Sequence, residues 1–273
     1  MNKSVAVQSA VAPDRASEQR RSRLFIVASL SLLAIVLIGF APTLYLRGLF
    51  DPPRDALRQF VLGEGGPAVE SQLSATLYTH GAVLTAWFAL LALQAWLVAA
   101  GRTSVHRRLG VGGALLAVLV VWTSVAVTLE QPSRLATFGI ENNPIANRNV
   151  WFNIGAAFGF AVLVGTALLL RKRSAIHKRL MLVASISIIG PALGRISFWP
   201  VLAELGPAVA NLVPLLLFLA LLGLLILHDL KTRRRPHSAT VLAILFAIAT
   251  RPIALIIGSS AFGQAFTAGL YVP

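Results

Sequence analysis

Three observations predict an all-α, polytopic bundle of transmembrane helices. Hydrophobic residues make up 56% of the chain and charged residues only 12%, against ~25% charged in soluble proteins. The apolar residues gather into seven runs, each close to the ~20 residues that carry a helix across the ~30 Å hydrocarbon layer. The loops between the runs alternate between strongly basic and weakly acidic. The runs lack period-two alternation and are too long for strands, which excludes a membrane barrel.

The elements follow in order. Residues 1–23 are polar and basic and read as a flexible cytoplasmic tail. The lead span, Leu24–Leu46, has an apolar core longer than the 7–15 residues of a signal peptide and lacks a small-residue cleavage site after it, so it reads as a retained helix. Spans follow at His80–Ala100, Leu109–Leu129, Val150–Leu170, Leu180–Trp199, Val209–Leu227 and Ala239–Gly258. The predicted bundle therefore covers residues 24–258 as one lead helix plus three hairpins, and residues 259–273 form a short external tail. Between the first two spans, Asp51–Pro53 and the glycines Gly63, Gly65 and Gly66 favour turns, with room for a short interfacial helix over Leu57–Leu62.

The net charge of +14 has to be located before it is interpreted. With the N-terminus inside, the inner segments hold Arg20, Arg21 and Arg23, then Arg102, Arg107 and Arg108, then Arg171–Arg173, Lys178 and Arg179, then Lys231 and Arg233–Arg235. The outer segments carry more acids than bases. Every inner loop obeys the positive-inside rule, which sets the N-terminus in the cytoplasm and the C-terminus outside. The charge is thus a topology signal with some attraction to anionic lipid, and nucleic acid is not expected as a partner. Cysteine is absent, which removes disulfides, thiolate ligands and cysteine nucleophiles.

A repeat marks the inner turns. GRTSVHRRLGV and KRSAIHKRLML align with a shift of 71 residues, so Arg102, His106, Arg108 and Leu109 match Arg173, His177, Arg179 and Leu180. A third turn again sets an arginine four residues before a histidine, Arg233 and His237. Internal repeats in membrane proteins often flank a functional site. Two neutral imidazoles from neighbouring helices suit the iron of haem b, which makes His106 and His177 candidate axial metal ligands. Arg102, Arg108, Arg173 and Arg179 would then meet the propionates. The plainer reading has these histidines capping helices or meeting lipid phosphate.

The second span carries His80, Trp87 and Gln94 at intervals of seven, on one helical face. Such a stripe faces the bundle interior, either as a packing seam or as the wall of a ligand slot. Arg195 and Arg251 lie inside spans, where a cation costs roughly 2.5–3.5 kcal/mol. They read either as an outer site for an anion or a quinone carbonyl, with His80 and Asn153 as neighbours, or as clamps on backbone carbonyls freed near Pro191 and Pro252. Gly155/Gly159 and Gly190/Gly194 have the small-xxx-small spacing of close helix seams. Walker, HExxH and GxSxG signatures are missing, and so is a lysine in the seventh span.

THGAVLTAW, HRRLG, HKRLM, RRRPH and Arg251–Pro252 together resemble a group of uncharacterised bacterial seven-span membrane proteins, from about Phe40 to the last span. The histidine followed by Arg-x-Leu-Gly at His106–Gly110 also resembles small membrane cytochromes b. That second resemblance implies a haem b-binding or quinone-linked redox protein, with only His80 available for an outer haem. The expectation competes with a carrier or receptor for a small anionic or lipid-like ligand, and with an accessory subunit. A homo-oligomer or a membrane-complex partner fits each of these.

Overall fold

The computed structural model describes residues 15–49, 73–137, 139, 143–196 and 199–271, and among them every regular element is helical. Helix α1 spans Arg15–Phe40. It continues as a π turn, Ala41–Tyr45, and a 3-10 turn, Arg47–Leu49. The π turn falls at Pro42, whose ring nitrogen cannot donate to the helical ladder. Helix α2 is Ala75–Ala99 and α3 is Thr103–Ala136. Helix α4 is Pro144–Leu169, α5 is Ser174–Ser187 and α6 is Gly190–Ile196. Then come α7, Pro200–Ala203; α8, Pro207–Arg233; α9, Ser238–Ser259; and α10, Ala261–Ala268. The interfacial helix expected over Leu57–Leu62 lies outside the described residues.

Among the described residues six helices are long and apolar enough to cross a membrane, and α5 with α6 would make a further span if that bent pair is counted as one. This is the architecture of a multi-pass membrane protein. Its surface agrees. Trp122 on α3 is 72% exposed and Leu115 67%, an outward apolar face that suits lipid and would be a liability in water.

One expectation needs correction, and two segments gain detail. The fifth run was expected to be continuous over Leu180–Trp199; it bends by 47° between Ser187 and Gly190. The Ser187 hydroxyl turns back to the Ala184 carbonyl at 2.7 Å, and Pro191 offers no N–H to extend the ladder but is tolerated in the first turn of α6. The basic segment before residue 24 is helical from Arg15 onward, so it lengthens α1. The segment after Gly258 contains α10, which folds back onto α4. There the Trp151 indole N–H donates to Thr267 Oγ1 at 3.0 Å, and the Tyr271 hydroxyl donates to Asn147 Oδ1 at 2.9 Å.

Helix α5 occupies the centre. Leu180 and the unbroken run Leu182–Ser187 are buried, and α1, α4, α8 and α9 pack around it. Glycines permit the closest approaches. A methyl at Gly155 would stand 2.8 Å from the Thr250 carbonyl oxygen and from Ala254 Cβ, so the Gly155/Gly159 seam faces α9. A methyl at Gly39 would run into the Ala192 carbonyl, which fixes α1 against α6. The second predicted pair makes no such seam, since a methyl at Gly190 meets open space.

Candidate functional site

The start of α1, the turns α2–α3, α4–α5 and α8–α9, and their arginines share one end of the bundle, the basic end. Lys178 at the start of α5 sits 4.5 Å from the Phe25 ring of α1, and Arg179 pairs with Asp229 near the end of α8.

The two matching turns build matching structures. Arg102 and Arg173 are the N-caps of α3 and α5, so His106 and His177 each lie one turn inside a helix. Each imidazole turns back to the helix before it. His177 Nδ1–H donates to the Ala167 carbonyl at 2.8 Å, which leaves Nε2 as its lone-pair nitrogen. His106 lies against the Gln94 backbone, within electrostatic reach of His177. Its Nδ1 is buried and lacks a hydrogen-bond partner, as does Gln94 Oε1. The repeat thus places two half-buried imidazoles together.

The third turn departs from that register. His237 is itself the N-cap of α9, and its Nδ1 accepts from the Ala239 N–H at 3.0 Å. Sequence spacing aligned it with His106 and His177, but here the helix starts after the histidine. Burial first, then the charges of Arg179 and Arg233, hold the His237 imidazole below its ordinary pKa.

The predicted propionate arginines divide. Arg102, Arg108 and Arg173 are exposed, and Arg102 stacks over Trp96 at 5.5 Å. Arg179 is buried and committed elsewhere. Its Nε donates to Asp229 Oδ2 at 3.3 Å, its Nη2 pairs with Oδ1, and its Nη1 donates to the Ala175 carbonyl at 2.8 Å. Asp229 also accepts from the Thr240 hydroxyl at 2.6 Å and from the His237 backbone N–H at 3.1 Å. One carboxylate with no exposure therefore ties α5, α8 and the start of α9 together. Asp229 is a structural residue that the motifs of the sequence do not single out. The available signal was an acid just inside a basic helix end, eight residues before the next helix's N-cap.

The polar stripe on α2 is spread over two neighbours. His80 Nδ1–H donates to Thr123 Oγ1 at 3.2 Å, whose own hydroxyl donates to the Leu119 carbonyl at 2.9 Å. Trp87 Nε1–H donates to Ser185 Oγ at 3.1 Å and meets Phe160 edge-on at 5.0 Å. Of the two membrane arginines, Arg195 donates to the Pro191 carbonyl at 2.9 Å, covers the Phe40 ring at 4.5 Å and is a charged neighbour of His80. Arg251 donates to the Ala247 carbonyl at 3.1 Å and to the Ser187 carbonyl, and lies over Phe152 at 5.0 Å. Arg251 therefore caps the carbonyl end of α5 where the break frees it, and the helix dipole favours a cation there. Asn153 is half-buried on α4.

No protein family, curated protein or solved structure matches this chain. Among the described residues no three His, Asp or Glu side chains gather as a metal site.

Proposed function

We propose that this chain is a seven-span protein of the bacterial cytoplasmic membrane, with its basic end in the cytoplasm, and that it is a redox protein holding haem b between His106 and His177. Basic turns at one end of the bundle support the orientation through the positive-inside rule. Counting the bent pair as the fifth span supports an odd number of crossings, with the termini on opposite sides.

The observation that carries the redox reading is the pairing of His106 and His177. They come from equivalent positions on neighbouring hairpins, each ring is oriented by the preceding helix, and His106 Nδ1 is a buried nitrogen with no other use. A backbone carbonyl that accepts from one ring nitrogen, and so fixes the tautomer, is typical of metal-ligating imidazoles. Two imidazoles fit haem iron, because the porphyrin supplies the remaining donors; a bare zinc ion needs three or four from the protein. The exposed guanidiniums of Arg102, Arg108 and Arg173 suit the propionates, whereas Arg179 is held by Asp229. Bound haem would supply one-electron transfer, and a membrane quinone is a fitting electron partner.

A reduced-minus-oxidised visible spectrum of the detergent-purified protein, expressed with ample haem, tests this reading. A sharp α band at near-stoichiometric haem is expected in the wild type and is lost in His106→Ala and His177→Ala. A featureless spectrum in a folded, monodisperse sample overturns it. The carrier or receptor reading, with His80, Trp87, Gln94, Asn153, Arg195 and Arg251 around a small anion, is second. The polar groups of His80, Trp87 and Arg251 already pair within the bundle, which leaves fewer donors for a ligand.

A further inference from the structure

Gln94 lies about one and a half turns before the end of α2, and His106 one turn inside α3. Gly101, at φ +73°, reverses the chain between them, and the His106 ring lies against the Gln94 backbone. Two polar atoms of this pair are left over. Gln94 Oε1 and His106 Nδ1 are each buried without a hydrogen-bond partner. The first can only accept, and an imidazole nitrogen that carries its proton can only donate. A buried polar group left unpaired is costly, and each of these two is the complement that the other lacks.

The matching turn shows the equivalent bond made. His177 Nδ1–H donates to the Ala167 carbonyl at 2.8 Å. The helical ladder leaves that carbonyl to the histidine, because the Arg171 N–H turns to the Leu168 carbonyl at 3.3 Å instead. With the 71-residue shift of the repeat, Trp96 stands where Ala167 does. Its carbonyl is taken by the Ala100 N–H at 2.8 Å. The backbone acceptor that orients His177 is therefore already engaged in the first hairpin, and Gln94 brings a side-chain carbonyl in its place. The other members of the α2 stripe, His80 and Trp87, bond to Thr123 and Ser185. Of the three, only Gln94 holds a buried side-chain atom with no partner.

We infer that Gln94 is the positioning residue of His106: its side-chain carbonyl accepts from His106 Nδ1–H, which fixes the tautomer and leaves Nε2 as the ligating nitrogen. The inference rests on the haem reading and assigns that site a further residue. Both imidazoles then hold Nδ1–H against a carbonyl and offer Nε2, one through a side chain and one through the backbone. A hydrogen bond from Nδ1–H makes an imidazole a stronger donor to iron and holds its plane. Gln94 thus acts on the iron only through His106.

The test uses the full-length protein in detergent and begins without haem. In nitrogen NMR spectra of the histidine rings, the His106 signal is identified by its loss in His106→Ala and is expected to show Nδ1–H in the wild type. Gln94→Leu is expected to shift it toward the Nε2–H tautomer while His177 is unchanged, and Gln94→Glu to restore Nδ1–H. In the haem-loaded protein Gln94→Leu is expected to weaken haem retention about 10–100-fold and to raise the midpoint potential. Gln94→Glu, a stronger acceptor, lowers the potential below that of the wild type, an order that a purely structural role would not produce. If Gln94→Leu folds poorly, Gln94→Glu carries the test, and a potential equal to that of the wild type overturns the inference. A His106 tautomer that follows Gln94 in a protein that takes up no haem keeps the positioning bond and overturns the haem reading. Haem binding with tautomer and potential unchanged in Gln94→Leu overturns the inference and leaves the haem reading standing.

Discussion

Arg179 and Arg251 are both guanidinium groups drawn into an apolar bundle, and the molecule neutralises them differently. At the basic end Arg179 meets a carboxylate, and that carboxylate in turn collects a hydroxyl and a backbone N–H from α9. Halfway down the bundle Arg251 meets no carboxylate among the described residues; its two Nη groups donate to backbone carbonyls and its plane lies over an aromatic face, while its Nε is buried without a partner. The first solution links three helices through a full charge. The second uses the carbonyl end of a broken helix, where partial negative charge is already present. A buried ion pair is costly to break because either partner alone is an uncompensated charge. A carbonyl–arginine contact is closer in scale to a strong hydrogen bond.

That contrast is open to direct test. Asp229→Ala leaves Arg179 buried without its carboxylate and is expected to destabilise the protein by about 3–5 kcal/mol, read by thermal unfolding in detergent. A double change, Arg179→Met with Asp229→Leu, is expected to restore most of that loss, because it removes both charges together. Recovery of nothing would mean that Asp229 acts through Thr240 and His237 alone. Arg251→Leu leaves the Ser187 carbonyl unmatched and is expected to cost about 1–3 kcal/mol, less than Asp229→Ala. A larger loss than at Asp229 would reverse the ranking of the two solutions. Arg251→Lys keeps the charge without the fork and should fall between wild type and Leu.

The basic end also carries a pH dependence. The folded His237 pKa lies below its ordinary value, so the unfolded chain binds the proton more readily. Its contribution to stability is full above about pH 6.5 and is lost as the pH falls through the depressed folded value. Protonation also removes the Nδ1 acceptor that caps α9. His237→Asn retains a capping acceptor without a titrating group, and its melting temperature should depend less on pH over that interval. An unchanged pH slope would assign the dependence to another group. The smallest effect is at Arg234, the C-cap of α8, which holds φ +60°. Arg234→Gly relieves the left-handed strain and is expected to stabilise the protein by about 0.5–1 kcal/mol after the loss of chain entropy is allowed for.

Much of the helical layout was legible because the bilayer imposes a length and a polarity on each crossing element. The first, second, fourth and seventh runs end close to the helices that form, whereas α3 and α8 continue past their apolar runs, to Ala136 and to Arg233. The break in the fifth run was marked by Gly190–Pro191, yet hydropathy averages across such a dipeptide and reads the flanking Ile188 and Ile189 as continuity. The register of His106 and His177 could be read from spacing. That of His237 could not, because the helix start decides whether a histidine caps or sits one turn in.

Local composition sets the class of protein, through the hydrophobic content of its runs, and the side of the bundle on which positive charge collects. Both are properties of composition along the chain. Packing of the helices is what joins Arg179 to Asp229, fifty residues away, and sets Arg251 as the cap of a helix sixty-four residues before it. No local pattern encodes such partners. They are chosen when packing excludes water and each buried polar group must find whichever complement the neighbouring helices bring within reach.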